Sequence, residues 1–253
     1  KVISLGFEGD TFVGSTLIDM YMKCASLVDA RRIFDELHDR DVVSWNSMIS
    51  GYADLTHAEE ALLLFNEMQQ KGKQPDRITY VSTIKACGLD GNLHQNNLVH
   101  DDIVKRGLDS DVCIGSSLVD MYAKCGALEK AKEVFDKLPV RDIVSWTALI
   151  AGYAQHGYGE EALKCFEGMQ REGLDPNAIT YVCILKASSI IRSIEVGEDI
   201  DTQVRKQGLL QKNIVLGTAL LDMYSKCGKL DKAREVFEQL PVRDVVSWNA
   251  MIA

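Results

Sequence analysis

The chain has 253 residues, 46% hydrophobic and 26% charged, with 28 Lys and Arg against 37 Asp and Glu for a formal charge of −9. That is the balance of a folded chain, not a disordered one, and 19 Gly with 4 Pro exclude collagen-like and low-complexity classes. No apolar run approaches the roughly 18 residues of a membrane span, and the acidic total argues against nonspecific nucleic-acid binding. Seven cysteines without a C-x-x-C pair read as free thiols, not as disulfides or a thiolate zinc site.

In chain order, residues 1–10 read as the tail of a unit, without a signal-peptide pattern. Three units follow: 11–41 with 31 residues, 42–76 with 35 and 77–111 with 35. The cycle then recurs as 112–142 (31), 143–177 (35) and 178–213 (36), with one extra residue within 207–213. A further 31-residue unit, 214–244, precedes residues 245–253, which open another. The repeat is carried by Asp19-Met-Tyr-Met-Lys-Cys24, which returns at Asp120 and Asp222 after offsets of 101 and 102 residues. Arg40-Asp-Val-Val-Ser-Trp45 returns at Arg141 and Arg243, and Ile78-Thr-Tyr-Val81 at Ile179.

Each unit reads as two helices. In 42–76, Val43, Trp45, Met48, Ile49 and Tyr52 share one helical face, and Ala58, Ala61, Leu62, Phe65 and Met68 another. Lys71-Gly72 marks the end of the second helix, and Gln74-Pro75-Asp76 an extended link. Leu138-Pro139-Val140-Arg141 and Leu240-Pro241-Val242-Arg243 read as shorter exits in the 31-residue units. Trp45, Trp146 and Trp248, with Tyr21, Tyr52, Tyr122, Tyr153 and Tyr224, read as core. A lone helix pair cannot bury both apolar faces, whereas stacked pairs can. The expectation is therefore an all-α α-solenoid with a concave groove, and a chain that starts and stops inside units.

With 31-, 35- and 35/36-residue helix pairs in fixed rotation, the chain resembles the pentatricopeptide repeat family, and within it the P-L-S subclass of plant organelles. V-V-S-W-N-S-M-I-S-G-Y (42–52), I-T-Y-V-S-T-I-K-A-C (78–87), G-S-S-L-V-D-M-Y-A-K-C-G (115–126) and A-K-E-V-F-D-K-L-P-V-R-D (131–142) carry the likeness. In that scheme 11–41, 112–142 and 214–244 are S units, 42–76 and 143–177 are P units, and 77–111 and 178–213 are L units. Residues 1–10 end an L unit and 245–253 begin a P unit. The resemblance implies a right-handed superhelix of antiparallel helix pairs that binds single-stranded RNA, one base per repeat. Residues 92–98 and 188–192 depart from the usual pattern of the long units.

In the family the fifth and last residues of a unit read the base. Here these are Ser15 and Asp41, Asn46 and Asp76, Val81 and Asp111, Ser116 and Asp142, Thr147 and Asn177, Val182 and Asn213, and Thr218 and Asp244. The family's pairing rules give G, U, unassigned, G, A, unassigned and G, hence 5′-G-U-n-G-A-n-G-3′. The alternative for each unit-final residue is that it only caps the next helix. The second residue wedges between bases in the family: here Phe12, Val43, Ile78, Cys113, Val144, Ile179 and Val215, and Val246 in the opening unit. Lys23, Lys124 and Lys226 would approach phosphates. The matching residues elsewhere are Asp54, Leu89, Gln155 and Ile190, so phosphate contacts should be few.

No enzyme is expected within the chain, and no cofactor, small-molecule substrate or membrane partner. A zinc deaminase needs H-x-E with P-C-x-x-C. His57-Ala58-Glu59 matches the first by letters, and the second is absent. The reading is the target-recognition part of an organellar RNA processing factor for C-to-U editing, mitochondrial or chloroplast. The deaminase would come from a missing C-terminal region or a partner, and the transit peptide would lie outside the fragment. The alternatives are a tetratricopeptide-like protein-binding scaffold, and long units that bind an editing cofactor protein.

Overall fold

The computed structural model describes residues 11–210 and 212–252, so the tail at 1–10 lies outside the described residues. Every described secondary-structure element is helical, as expected. The chain divides into two compact units, 1–125 and 126–253.

The first unit contains α1 (Thr11–Lys23), α2 (Leu27–Glu36), α3 (Val42–Asp54), α4 (Ala58–Gln70), α5 (Arg77–Asp90), α6 (Leu93–Lys105) and α7 (Val112–Lys124). Here α1, α3, α5 and α7 pack successively against one another, and α2, α4 and α6 form a second layer behind them. The second unit contains α8 (Leu128–Lys137), α9 (Ile143–Gln155), α10 (Gly159–Arg171), α11 (Ala178–Ile191), α12 (Ile194–Lys206), α13 (Ile214–Lys226), α14 (Leu230–Gln239) and α15 (Val245–Ile252). Its front row is α9, α11, α13 and α15.

The length difference between repeats has a local cause. In the 35- and 36-residue repeats the second helix ends on a left-handed glycine: Gly72, Gly107, Gly173 or Gly208. In the 31-residue repeats the second helix stops after 10 residues and passes into extended backbone at the buried Leu37, Leu138 or Leu240. An arginine then takes over the C-terminal carbonyls. Arg40 Nε donates to Phe34 O at 2.9 Å, and Arg141 and Arg243 do the same to Phe135 O and Phe237 O. Each guanidinium also stacks on that phenylalanine ring, 4.5 Å from its centroid at Arg40. The first helix closes tightly on the exit leucine. A Cβ added at Gly14 would fall 2.5 Å from Leu37, and one at Gly217 2.3 Å from Leu240.

The core is where the apolar periodicity places it. Trp45 is fully buried, edge-on to Phe34 at 4.8 Å, and Trp146 sits edge-on to Phe135 at 4.5 Å. Trp248 departs from the expectation. Its ring meets Phe237 at 4.7 Å but stays 53% exposed. Tyr52, Tyr122 and Tyr224 are buried, and Tyr21 and Tyr153 are half-buried.

The two atypical long-repeat segments also resolve. In 92–98, Asn92 caps α6, Asn96 is fully buried, and Asn97 accepts a hydrogen bond from the Tyr122 hydroxyl at 3.0 Å. In 188–192, the buried Ser188 donates to Ser193 O at 2.6 Å, and Arg192 closes α11 in the left-handed region.

Candidate nucleic-acid interface

All seven unit-final residues occupy the N-cap of the next front-row helix in extended backbone or with a capping side chain. Asp41 accepts from Ser44 N, Asp76 from Thr79 N, Asp111 from Ile114 N and Asp142 from Ser145 N. Asn177 accepts from Thr180 N, Asn213 from Leu216 N and Asp244 from Ser247 N. Capping therefore explains these residues locally without any ligand. Capping does not explain why, at two junctions, the fifth residue is also joined to the capping residue.

Ser15, Asn46, Ser116, Thr147 and Thr218 are between 2% and 9% exposed, while Val81 and Val182 are half-buried. At one junction the fifth and last residues bond directly. Asn46 Nδ2 donates to Asp76 Oδ1 and Oδ2 at 3.0 and 3.1 Å. Burial alone would raise the Asp76 carboxyl. Hydrogen bonds from the Thr79 N–H and the Asn46 amide lead the effects that outweigh it and hold the group below the ordinary carboxylate range. At the Thr147 junction the contact runs through Thr180, whose hydroxyl lies 2.9 Å from that of Thr147 and 3.1 Å from Asn177 Oδ1. Ser15 and Thr218 instead turn back onto their own helices, donating to Phe12 O and Ile214 O.

The second-position residues are exposed in both units. Phe12 is 80% exposed, and Val43, Ile78, Val144, Ile179, Val215 and Val246 lie between 56% and 64%. Cys113 is exposed too. Repeat-to-repeat packing does not account for them. In the second unit, Ile179 and Val215 flank Val182 and Asn213 around a cleft of about 210 Å³. A larger open groove of about 650 Å³ continues past it, lined by Val215, Thr218, Lys226, Asp244 and Val246. A second-position pair, a fifth residue, a last residue and a phosphate-candidate lysine thus share one surface.

The lysines are less free than the sequence implied. Lys23, Lys124 and Lys226 each pair with the aspartate one turn earlier, Asp19, Asp120 and Asp222, at 2.7, 2.5 and 2.7 Å. Lys85 reaches across to Asp54 at 2.6 Å. Lys186 stands at the same place in its repeat as Lys85, but Gln155 replaces Asp54. Lys186 lines the 650 Å³ groove without a carboxylate partner among the described residues. It and Asn249, the fifth residue of the last helix and also in that groove, are the residues the sequence reading missed.

His57 occupies the N-cap of α4, with its ring 3.6 Å from Glu60. Among the described residues no group of three or more His, Cys, Asp or Glu is placed to hold a metal ion. No described helix is long and apolar enough to cross a membrane. Burial pushes the Cys87 thiol up to about 12, and those of Cys165 and Cys183 up to about 11.

Stacked helix pairs with capped polar junctions and exposed apolar second positions define an α-solenoid repeat protein. The sequence model of the PPR repeat family matches residues 40–88 and 141–189, and that of the PPR repeat matches 15–42, 116–143 and 218–245. The chain belongs to the pentatricopeptide repeat family. It is 42% identical over 242 residues to a putative pentatricopeptide repeat-containing protein of Arabidopsis thaliana named as mitochondrial, covering 96% of this chain and 38% of the relative. A second Arabidopsis relative, named as chloroplastic, is 39% identical over 251 residues, 99% of this chain and 40% of the relative. The chain thus spans about two fifths of these relatives. Among solved structures, the pentatricopeptide repeat protein PPR10 in complex with an 18-nt psaJ RNA element superimposes with a TM-score of 0.80 at 19% identity, over 99% of this chain and 38% of that one.

Proposed function

We propose that the chain is a sequence-specific single-stranded RNA-binding array of the P-L-S subclass. In this reading it serves in a plant organelle as the target-recognition part of a C-to-U editing or processing factor. The observation that carries it is the shared surface of the groove. In the second unit the exposed Ile179 and Val215 flank Val182 and Asn213, and Val215 and Val246 share a groove with Thr218 and Asp244. The RNA bound by PPR10, and the mitochondrial and chloroplastic names of the relatives, support the same reading.

The mechanism follows from the residue types. Aliphatic side chains at Val43, Ile78, Val144, Ile179 and Val215 would slip between splayed bases and hold each against one junction, with Phe12 and Cys113 taking the same part. The paired residues Ser15 and Asp41, Asn46 and Asp76, Ser116 and Asp142, Thr147 and Asn177, and Thr218 and Asp244 would then meet the Watson–Crick edges. The site so read is 5′-G-U-n-G-A-n-G-3′, with Val81 and Val182 unable to hydrogen-bond a base. Backbone charge plays a small part, because Lys23, Lys124 and Lys226 are already paired.

The test places a carboxylate at exposed second positions. Val43→Asp and Val144→Asp alter side chains that are 57% and 56% exposed, in the first turn of a helix where an acid suits the helix dipole. Folding should be unchanged, and binding to a single-stranded GUnGAnG RNA lost. Undiminished binding by both variants would refute the interface.

A further inference from the structure

The third residue of each front-row helix tracks the fifth residue of the repeat before it. Ser44 follows Ser15, Thr79 follows Asn46, Ser145 follows Ser116, Thr180 follows Thr147 and Ser247 follows Thr218. Where the fifth residue is Val81 or Val182, the third residue is Ile114 or Leu216. A hydroxyl stands at this place only where the fifth residue can hydrogen-bond.

The threonine junctions give that pattern a geometry. Thr79 and Thr180 are fully buried. The Asp76 N–H donates to Thr79 Oγ1 at 3.0 Å, and the Thr79 hydroxyl donates to Asn46 Oδ1 at 2.6 Å. The Asn46 Nδ2 group donates back to the Asp76 carboxylate, so the relay closes on itself. One amide hydrogen and one carbonyl lone pair of Asn46 are taken, and the carbonyl is turned inward. What remains on the Nδ2 side is a fixed donor, matched to a keto oxygen such as O4 of uracil and mismatched to the amino group of cytosine.

At the second junction the relay has the opposite sense. Asn177 Oδ1 accepts from Thr180 N at 2.9 Å and from the Thr180 hydroxyl at 3.1 Å. The Thr180 and Thr147 hydroxyls lie 2.9 Å apart and either can donate; Asn177 Oδ1 can only accept, and that contact assigns the Thr180 hydrogen to it and the donor role to Thr147. Thr147 is left with free lone pairs, an acceptor matched to the amino group of adenine. At the serine junctions the third-residue hydroxyl stays on its own cap, as Ser44 does on Asp41 Oδ1 and Ser247 on Asp244 O. Among the described residues neither hydroxyl hydrogen-bonds the fifth residue.

We propose that Thr79 and Thr180 are positioning residues that set which face of the fifth residue, donor at Asn46 and acceptor at Thr147, a base meets. This rests on the RNA-binding reading above. The experiment measures anisotropy of the 253-residue chain with 5′-GUUGAUG-3′ and two single-base changes, U2 to C and A5 to G. Thr79→Val keeps shape and loses the hydroxyl, and should reduce the U-over-C ratio about fivefold while leaving the A-over-G ratio alone. Thr180→Val should do the reverse, and Thr79→Ser should keep the wild-type ratios. The crossed design separates positioning from loss of fold, which would lower both ratios or neither. Wild-type ratios in both valine variants would overturn the proposal and leave base reading intact. Equal binding of U and C by the wild type and by Asn46→Ala alike would overturn both.

Discussion

Asn46 and Asp76 belong to one repeat but lie 30 positions apart, and the Asn46 amide spans both carboxylate oxygens of Asp76. The same carboxylate caps α5 through Thr79 N at 2.9 Å. A helix start in one repeat is thereby tied to the front-row helix of the repeat before it. The residue type that a cap demands and the residue type that would order a base-reading side chain coincide here in one aspartate.

That tie has a pH signature. The Asp76 carboxyl is held below its ordinary range, so its stabilisation is present above the unfolded-state value, about 3.9 for Asp, and is lost as pH falls through the lower folded value. Asp76→Asn keeps a competent cap without the charge. The wild type should melt higher than Asp76→Asn by a constant margin above about pH 5, and the margin should close below about pH 4. Thermal melts of both proteins across that range check it, and a margin unchanged to the most acid pH would contradict it.

The turn between paired helices demands a left-handed residue. Gly157 takes it at φ +87°, and Thr56, at the matching place one cycle earlier, is forced to φ +64°. A β-branched residue there costs about 1–2 kcal/mol, against about 0.5–1 kcal/mol for the extra freedom of a glycine in the unfolded chain. Thr56→Gly should therefore stabilise the protein by about 1 kcal/mol, read as a higher denaturant midpoint. A lower midpoint would show that Thr56 is not strained.

Charge pairing predicts which lysine matters to an anion. Lys226 is neutralised by Asp222 at 2.7 Å, whereas Lys186, in the same groove, is not neutralised among the described residues. Removing one phosphate contact to a single strand should flatten the log K against log salt slope by about 0.7. Lys186→Ala should show that change and Lys226→Ala a smaller one, in RNA titrations at several salt concentrations. The opposite order would place the backbone contact at Lys226.

Much of this was legible in the sequence. The front and back helices follow from apolar spacing, and Trp45 and Trp146 are buried where that spacing puts them. Trp248 keeps the contact with Phe237 that the spacing implies but is 53% exposed. The pairing of Lys23 with Asp19 follows from i, i+4 spacing alone. Lys186 carries no local signal, because it lies in a long repeat whose fifth residue is Val182 and its lack of a carboxylate partner among the described residues depends on Gln155 replacing the acid found at Asp54. The burial of the fifth residues depends on how closely the next front-row helix approaches, and the relays through Thr79 and Thr180 join residues 33 positions apart. Only packing brings such groups together. The arginine caps at Arg40, Arg141 and Arg243 are similar: the motif marks an exit, but that it replaces a terminal glycine is a fact of geometry.

The central claim is that the fifth and last residues of each repeat select a base in a fixed register. The most direct measurement is anisotropy binding of the chain, at fixed salt, to single-stranded RNA carrying GUnGAnG and to the same RNA with U and A exchanged. The account predicts tighter binding to the first, and loss of that preference in the variant carrying Asn46→Ser and Thr147→Asn. Equal binding to both RNAs would mean a groove that does not distinguish bases, and would contradict it.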